Sequence, residues 1–207
     1  MSDTPKGGLV TYVKQSWLIL LLSVIFGCAL AGVELALRDK IKQNRLNKTK
    51  SGIPKFFKMA AIERATQIEV KGKGDEPSVK IWRIVDANDK LLGWLLPGRG
   101  AGYADVIELV VAVDAKCDRI LGMSVLKQAE TPALGDNIRK QPFKNNFAKG
   151  LTTFKNVTVV KGAVKANPKL NQIQAITGAT VSSKSVVAIV NATITAFKPF
   201  IKKQGVK

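Results

Sequence analysis

Apolar and polar positions divide the chain into one long apolar run, a series of short strand-like segments and a helix-periodic segment near the end. From Gln15 to Val33 there is no charge, and Trp17, Leu18, Ile19, Leu20, Leu21, Leu22, Val24, Ile25 and Phe26 make the stretch strongly apolar. About 20 such residues cross a bilayer as a helix, so a transmembrane helix is expected over 15–37, behind an N-terminal tail of 1–14. Ala29-Leu30-Ala31 fits the small-x-small cleavage site of a signal peptide, and Ile25-Phe26-Gly27-Cys28 loosely resembles a lipoprotein site. Phe26 is bulky for the latter and the apolar run continues past Cys28. We read one uncleaved anchor.

Residues 38–53 are polar and dense in lysine, as in a juxtamembrane helix or stalk whose charges either meet solvent or touch anionic lipid. A domain over 54–207 then opens at Pro54-Lys55-Phe56-Phe57, with a short helix expected from Met59 to Ala65 and a loop from Lys71 to Pro77. Val79 to Val85 and Leu91 to Leu96 read as strands around the turn Asp86-Ala87-Asn88-Asp89. Val106 to Val113 and Ile120 to Leu126 pair around Lys116-Cys117-Asp118 as a second hairpin, Phe143 to Lys149 reads as helical, and Asn156 to Lys161 as a further strand. Val186, Ile189, Val190, Thr193, Ile194 and Phe197 recur at three- and four-residue spacing, the stripe of a helix with one face on a core. The expected fold class is α+β: a single N-terminal transmembrane helix, then a domain with an antiparallel sheet and flanking helices.

Composition narrows the chemistry. At 207 residues there is room for one anchor and one domain of about 100–150 residues. The chain has no histidine, which excludes His-based acid–base catalysis, Ser-His and Cys-His nucleophiles and His-ligated metals. Cys28 and Cys117 are the only cysteines, too few for a four-cysteine iron–sulfur cluster, and Cys28 lies in the apolar stretch, which argues against a disulfide between them. If the protein moves electrons it does so through a borrowed organic cofactor.

The segment Ile176-Thr177-Gly178-Ala179-Thr180-Val181-Ser182-Ser183 places a hydroxyl at the end of a Gly-Ala turn and at the start of the striped helix. The unpaired N–H groups of a helix start and the positive end of its dipole favour an anion such as a phosphate monoester. The alternative is a plain helix start in which Thr177 or Thr180 caps the first turn.

Together with Gly102-Tyr103, Val106 to Asp114, Ala129-Glu130-Thr131-Pro132-Ala133-Leu134-Gly135-Asp136, Phe143 and Phe147, this segment resembles the FMN-binding subunits of membrane redox pumps. That family includes the G subunit of the Rnf ferredoxin:NAD oxidoreductase complex and the C subunit of the sodium-pumping NADH:quinone reductase. The resemblance implies an FMN held by a phosphoester bond to Thr180, the last residue of an S/T-G-A-T motif, with Thr177, Gly178, Ala179, Val181 and Ser182 around it. It also implies that Glu130, Thr131, Leu134 and Gly135 serve the flavin. Thr131 and the N–H groups of Leu134 and Gly135 would act as donors to the ring, and Leu134 would pack on it. Glu130 has the alternative of a structural cap or ion pair. Gly98-Arg99-Gly100-Ala101-Gly102 precedes a strand rather than a helix, so a dinucleotide loop is disfavoured and a flexible loop beside the flavin is expected, with Tyr103 either near the ring or buried structurally.

Two positions depart from the family pattern. Ala133 stands where E-T-P-G-L-G has glycine, so this position is expected to prefer negative φ. Gln174 stands six residues before Thr180, where an acidic residue is usual, which is expected to weaken the attaching flavin transferase.

Lys6 and Lys14 precede the anchor, whereas Arg38, Lys40, Lys42, Arg45, Lys48, Lys50, Lys55 and Lys58 follow it. The positive-inside rule alone would put the domain in the cytoplasm. The resemblance implies the extracytoplasmic side, and partner helices of a complex can override one helix's charge bias. A net charge of +18 raises nucleic-acid binding as a competing class. A bilayer anchor and 6% aromatics, with no stacking-platform motif, argue against it, so no nucleic-acid partner is expected. The expected function is electron relay through covalent FMN in an Rnf-type ion-pumping complex, with other membrane subunits, a flavin transferase and the lipid bilayer as partners. The alternatives are a stand-alone anchored FMN domain, or an assembly or lipid-binding subunit that has lost its flavin.

Overall fold

The computed structural model describes residues 9–57, 60–70, 78–162 and 164–204, so the loop expected at Lys71–Pro77 and the start of the helix expected at Met59 lie outside the described residues. The chain divides into two compact units, one ending at Leu46 and one running from Asn47. Helix α1 spans Leu9–Phe56. Within its segment Ser16–Ile41 an 18-residue stretch reaches a mean hydropathy of 2.4 and none of that stretch is buried in protein, so the segment is long and apolar enough to cross a membrane.

In the second unit a single 3₁₀ turn, Ile62–Arg64, replaces the expected Met59–Ala65 helix. Five strands follow one another into an antiparallel meander: β1 (Thr66–Val70), β2 (Val79–Val85), β3 (Leu91–Ala101), β4 (Val106–Asp114) and β5 (Ile120–Lys127). Strand β1 escaped the sequence reading because Gln67 and Glu69 leave it little apolar signal. The turn between β2 and β3 is closed by Asp86, whose Oδ1 accepts from the N–H groups of Asn88 (2.8 Å) and Lys90 (3.0 Å). Asp114 Oδ1 does the same for Asp118 (2.7 Å) and Arg119 (3.1 Å) at the next hairpin.

The central strands are buried on both faces, which is why β4 reads as a nearly continuous apolar run. One face carries Ile81, Trp94, Leu96, Leu109 and Val111 and receives α3 (Thr180–Gln204), whose predicted stripe from Val186 to Phe197 is buried there. The other face carries Trp82, Ile84, Leu95 and Ala112 and is covered by Ile53 and Phe57 at the end of α1. Burying a side chain of this size contributes about 1.5–3 kcal/mol, so these two layers supply most of the unit's stability.

Residues 98–101 are not a loop. They form the end of β3, with Gly98 opposite Leu109 and Gly100 opposite Ile107. A Cβ on Gly98 would strike the Thr193 hydroxyl, and one on Gly100 would lie 2.6 Å from Ile189. The two glycines let α3 approach the sheet, a packing role. Beyond the sheet, α2 (Gln141–Lys144) and a 3₁₀ turn, Asn145–Ala148, occupy the segment expected to be helical. The predicted strand at Asn156–Lys161 forms as β6 (Thr158–Val160), paired in parallel with β7 (Gln172–Gln174).

Candidate functional site

The site forms where the loop after β5 meets the N-terminus of α3. Gly178 turns the chain with φ 78°, a conformation glycine adopts without penalty, and Thr180 becomes the first residue of the helix. The residue before it, Ala179, has no side-chain oxygen to cap with. Among the described residues no group accepts a hydrogen bond from the N–H of Thr180, Val181 or Ser182. Neither Thr177 nor Thr180 acts as a cap, so the simple capping alternative does not describe this helix start. Ser183 looks inward: its hydroxyl donates to Ala179 O (2.9 Å) and accepts from the Ile176 N–H (3.0 Å), holding the turn against the helix. Three unpaired N–H groups, the helix dipole and a half-buried threonine hydroxyl therefore converge at one point.

Glu130 fixes this point to the sheet. It is 4% exposed, and its Oε1 accepts from the N–H groups of Tyr103 (2.8 Å) and Ala104 (3.2 Å) while its Oε2 accepts from the Ser182 hydroxyl. A buried carboxylate is tolerated only when hydrogen-bonded in this way. Two glycines make room for it. A Cβ on Gly102 would strike Glu130 Oε1, and one on Gly135 would lie 2.7 Å from Ser182 Oγ and 2.8 Å from the Glu130 side chain. These contacts are those of a structural tie between the loop before β4, the loop after β5 and α3.

The loop from Thr131 to Gly135 is built on local backbone bonds. Leu134 N–H donates to Thr131 O (3.2 Å), so this N–H is engaged within the turn rather than free for a ring. Thr131 is exposed and Gly135 is buried. Ala133 has φ 61°, contrary to the negative φ expected of it: the turn imposes the left-handed region, and Asn137 Nδ2 holds the Ala133 carbonyl at 2.8 Å. Leu134 stands against the Gly178 turn, where an added Cβ would come within 3.0 Å of its Cδ2. Leu134 (45%), Val181 (53%) and Tyr103 (68%) are exposed apolar side chains on these same segments, so Tyr103 is not the buried structural residue of the alternative reading.

Gln174 belongs to β7 and serves the fold. Its Nε2 donates to Val160 O (3.4 Å) and Gly162 O (3.2 Å), and its Oε1 accepts from the Ala166 N–H (3.2 Å). The sequence reading missed Ser183, whose signal was its position three residues past Thr180 with a hydroxyl in an otherwise apolar helix face.

Uncapped helix N–H groups beside a hydroxyl are suited to an anion such as a phosphate, and exposed apolar side chains lie beside the glycine turn. Residues 102–195 match the FMN-binding domain family. The chain resembles the G subunits of ion-translocating oxidoreductase complexes. It is 36% identical over 118 residues, 57% of each chain, to the G subunit of the proton-translocating ferredoxin:NAD(+) oxidoreductase complex of Clostridium ljungdahlii. It is 25% identical to the G subunit of the ion-translocating oxidoreductase complex of Methanosarcina acetivorans over 94% of this chain and 96% of that one. The structure of NqrC from Shewanella oneidensis shares the fold at a TM-score of 0.58 and 22% identity, over 73% of this chain and 74% of that one.

Proposed function

We propose that this chain is the membrane-anchored electron-transfer subunit of an Rnf-type ion-translocating redox complex, with FMN joined by a phosphoester to Thr180. The observation that carries the proposal is the start of α3, where Thr180 sits at an uncapped helix terminus with three unpaired N–H groups. The residues fit the group. The N–H groups of Thr180, Val181 and Ser182 would hold phosphate oxygens, the Thr180 oxygen would bear the ester, and Leu134, Val181 and Tyr103 would offer apolar surface to the ring. When bound, FMN supplies reversible electron acceptance that no side chain of this histidine-free, cluster-free chain can supply. Thr177, Gly178 and Ala179 set the turn, and Glu130, Gly135 and Ser182 hold the turn to the sheet. The domain would relay electrons between neighbouring subunits.

The segment Ser16–Ile41 would be a single-pass anchor in the cytoplasmic membrane, packed among other subunits, with the flavin domain extracytoplasmic. The helix α3 also passes a length and hydropathy test, but half of it is buried against the sheet, which supports a core role. A flavin transferase would install the group. The test is in-gel flavin fluorescence of the denatured full chain after co-expression with a flavin transferase, wild type against Thr180→Val. A fluorescent band lost in the variant is expected; a dark wild-type band would overturn the covalent reading.

A further inference from the structure

A cavity of about 270 Å³ is lined by residues 121–126 of β5, by Lys55 and Phe56 from the end of α1, and by Gln141, Lys144 and Asn145. Strand β5 is the border of its sheet. Six consecutive residues of this border strand line the cavity, so both of its faces contribute to it. Two lysines line this cavity, the exposed Lys55 and the half-buried Lys144, and no carboxylate is among its described lining residues. Among the described residues neither lysine is in an ion pair. Lys144 is half-buried, and burial, then the charge of Lys55, hold its ammonium below the usual lysine range. Gln141 Nε2 donates to Asn145 Oδ1 (2.6 Å), so the Asn145 oxygen is occupied and its amide N–H groups remain as donors beside the Ser124 hydroxyl. Two lysines and neutral donors around one cavity would give an oxyanion charge-assisted hydrogen bonds.

We propose that this cavity binds an oxyanion, a phosphate group either free or in an anionic lipid headgroup, between Lys55 and Lys144. The site is separate from the start of α3 and independent of the flavin reading. Its test is a titration of the full-length, ¹⁵N-labelled chain in nanodiscs of zwitterionic lipid with inorganic phosphate, against chloride at matched ionic strength. Saturable shifts at the amides of Ser124, Lys144 and Asn145 are expected in the wild type and absent in the Lys55→Gln/Lys144→Gln double variant. Phosphate at several times its Kd should raise the wild-type thermal midpoint by about 2–4 °C and leave the double variant unmoved. In chloride alone the double variant should melt no lower than wild type, because removing unpaired like charges relieves repulsion. In nanodiscs containing anionic lipid, the same shifts without phosphate would identify a headgroup as occupant; their absence would identify the free ion. Shifts that persist in the double variant, or that never saturate, overturn the proposal.

Discussion

The Glu130 carboxylate and the Ser182 hydroxyl, 52 residues apart in the chain, meet in one hydrogen bond at the first turn of α3. The other carboxylate oxygen receives the N–H groups of Tyr103 and Ala104. One buried side chain thus ties the loop before β4, the loop after β5 and the helix that begins at Thr180. The tie holds the three segments that form the proposed flavin seat.

Glu130→Gln should therefore lower both stability and flavin loading. The amide oxygen can still accept from the Tyr103 and Ala104 N–H groups and its NH₂ can donate to the Ser182 oxygen, but charge-assisted bonds become neutral ones, which costs roughly 1 kcal/mol. Ser182→Ala removes one of three donors and should cost about the same or less. Urea denaturation of the full chain in detergent, alongside in-gel fluorescence, checks both. Unchanged stability in both variants would show that the Glu130–Ser182 tie adds nothing.

Ala133→Gly should stabilise the protein. Alanine at φ 61° bears a steric penalty of roughly 1–2 kcal/mol, and glycine gives back part of that through its greater freedom when unfolded, leaving a net gain of about 1 kcal/mol. The urea midpoint should rise. A fall would mean that the loop relaxes around alanine without strain.

Much of this fold was legible because its signals are local. The stripe from Val186 to Phe197 marks α3, and the alternation of apolar segments with Asp-centred turns marks the two hairpins. The roles of Gly98 and Gly100 were not legible, since the partners that demand them, Ile189 and Thr193, lie far along the chain. The same holds for Glu130: its type suggested chemistry, and only the long-range approach of Ser182 and the Tyr103 backbone shows its structural use. Thr180 stood out from sequence because a helix start needs only neighbours to define it.

Cys117 should make stability fall at alkaline pH. It is fully buried, and burial pushes its thiol up from 9.0 to about 11. The folded state then holds a proton that the unfolded state releases. Stability from this group is intact below about pH 9 and is lost as pH rises toward 11, by roughly 2 kcal/mol. Comparing the pH dependence of unfolding in wild type and Cys117→Ala isolates the effect from lysine titration. Parallel profiles would refute it. Alkylation of the native protein at pH 8 should label Cys117 far more slowly than the unfolded chain.

Gln174→Glu sets the fold against the attachment chemistry. In this chain the amide donates to the carbonyls of Val160 and Gly162, which a carboxylate cannot do. Placing a charge against two carbonyl oxygens should cost about 1–3 kcal/mol and loosen the connection between β6 and β7. Restoring the acid usual in the flavin-attachment motif should at the same time raise the yield of covalent flavin in co-expression with a flavin transferase. Fluorescence per mole of chain and the thermal midpoint, measured on the same preparations, should therefore move in opposite directions. An unchanged midpoint would remove the structural role assigned to Gln174. A lowered midpoint with no gain in flavin would mean that the transferase does not read this position.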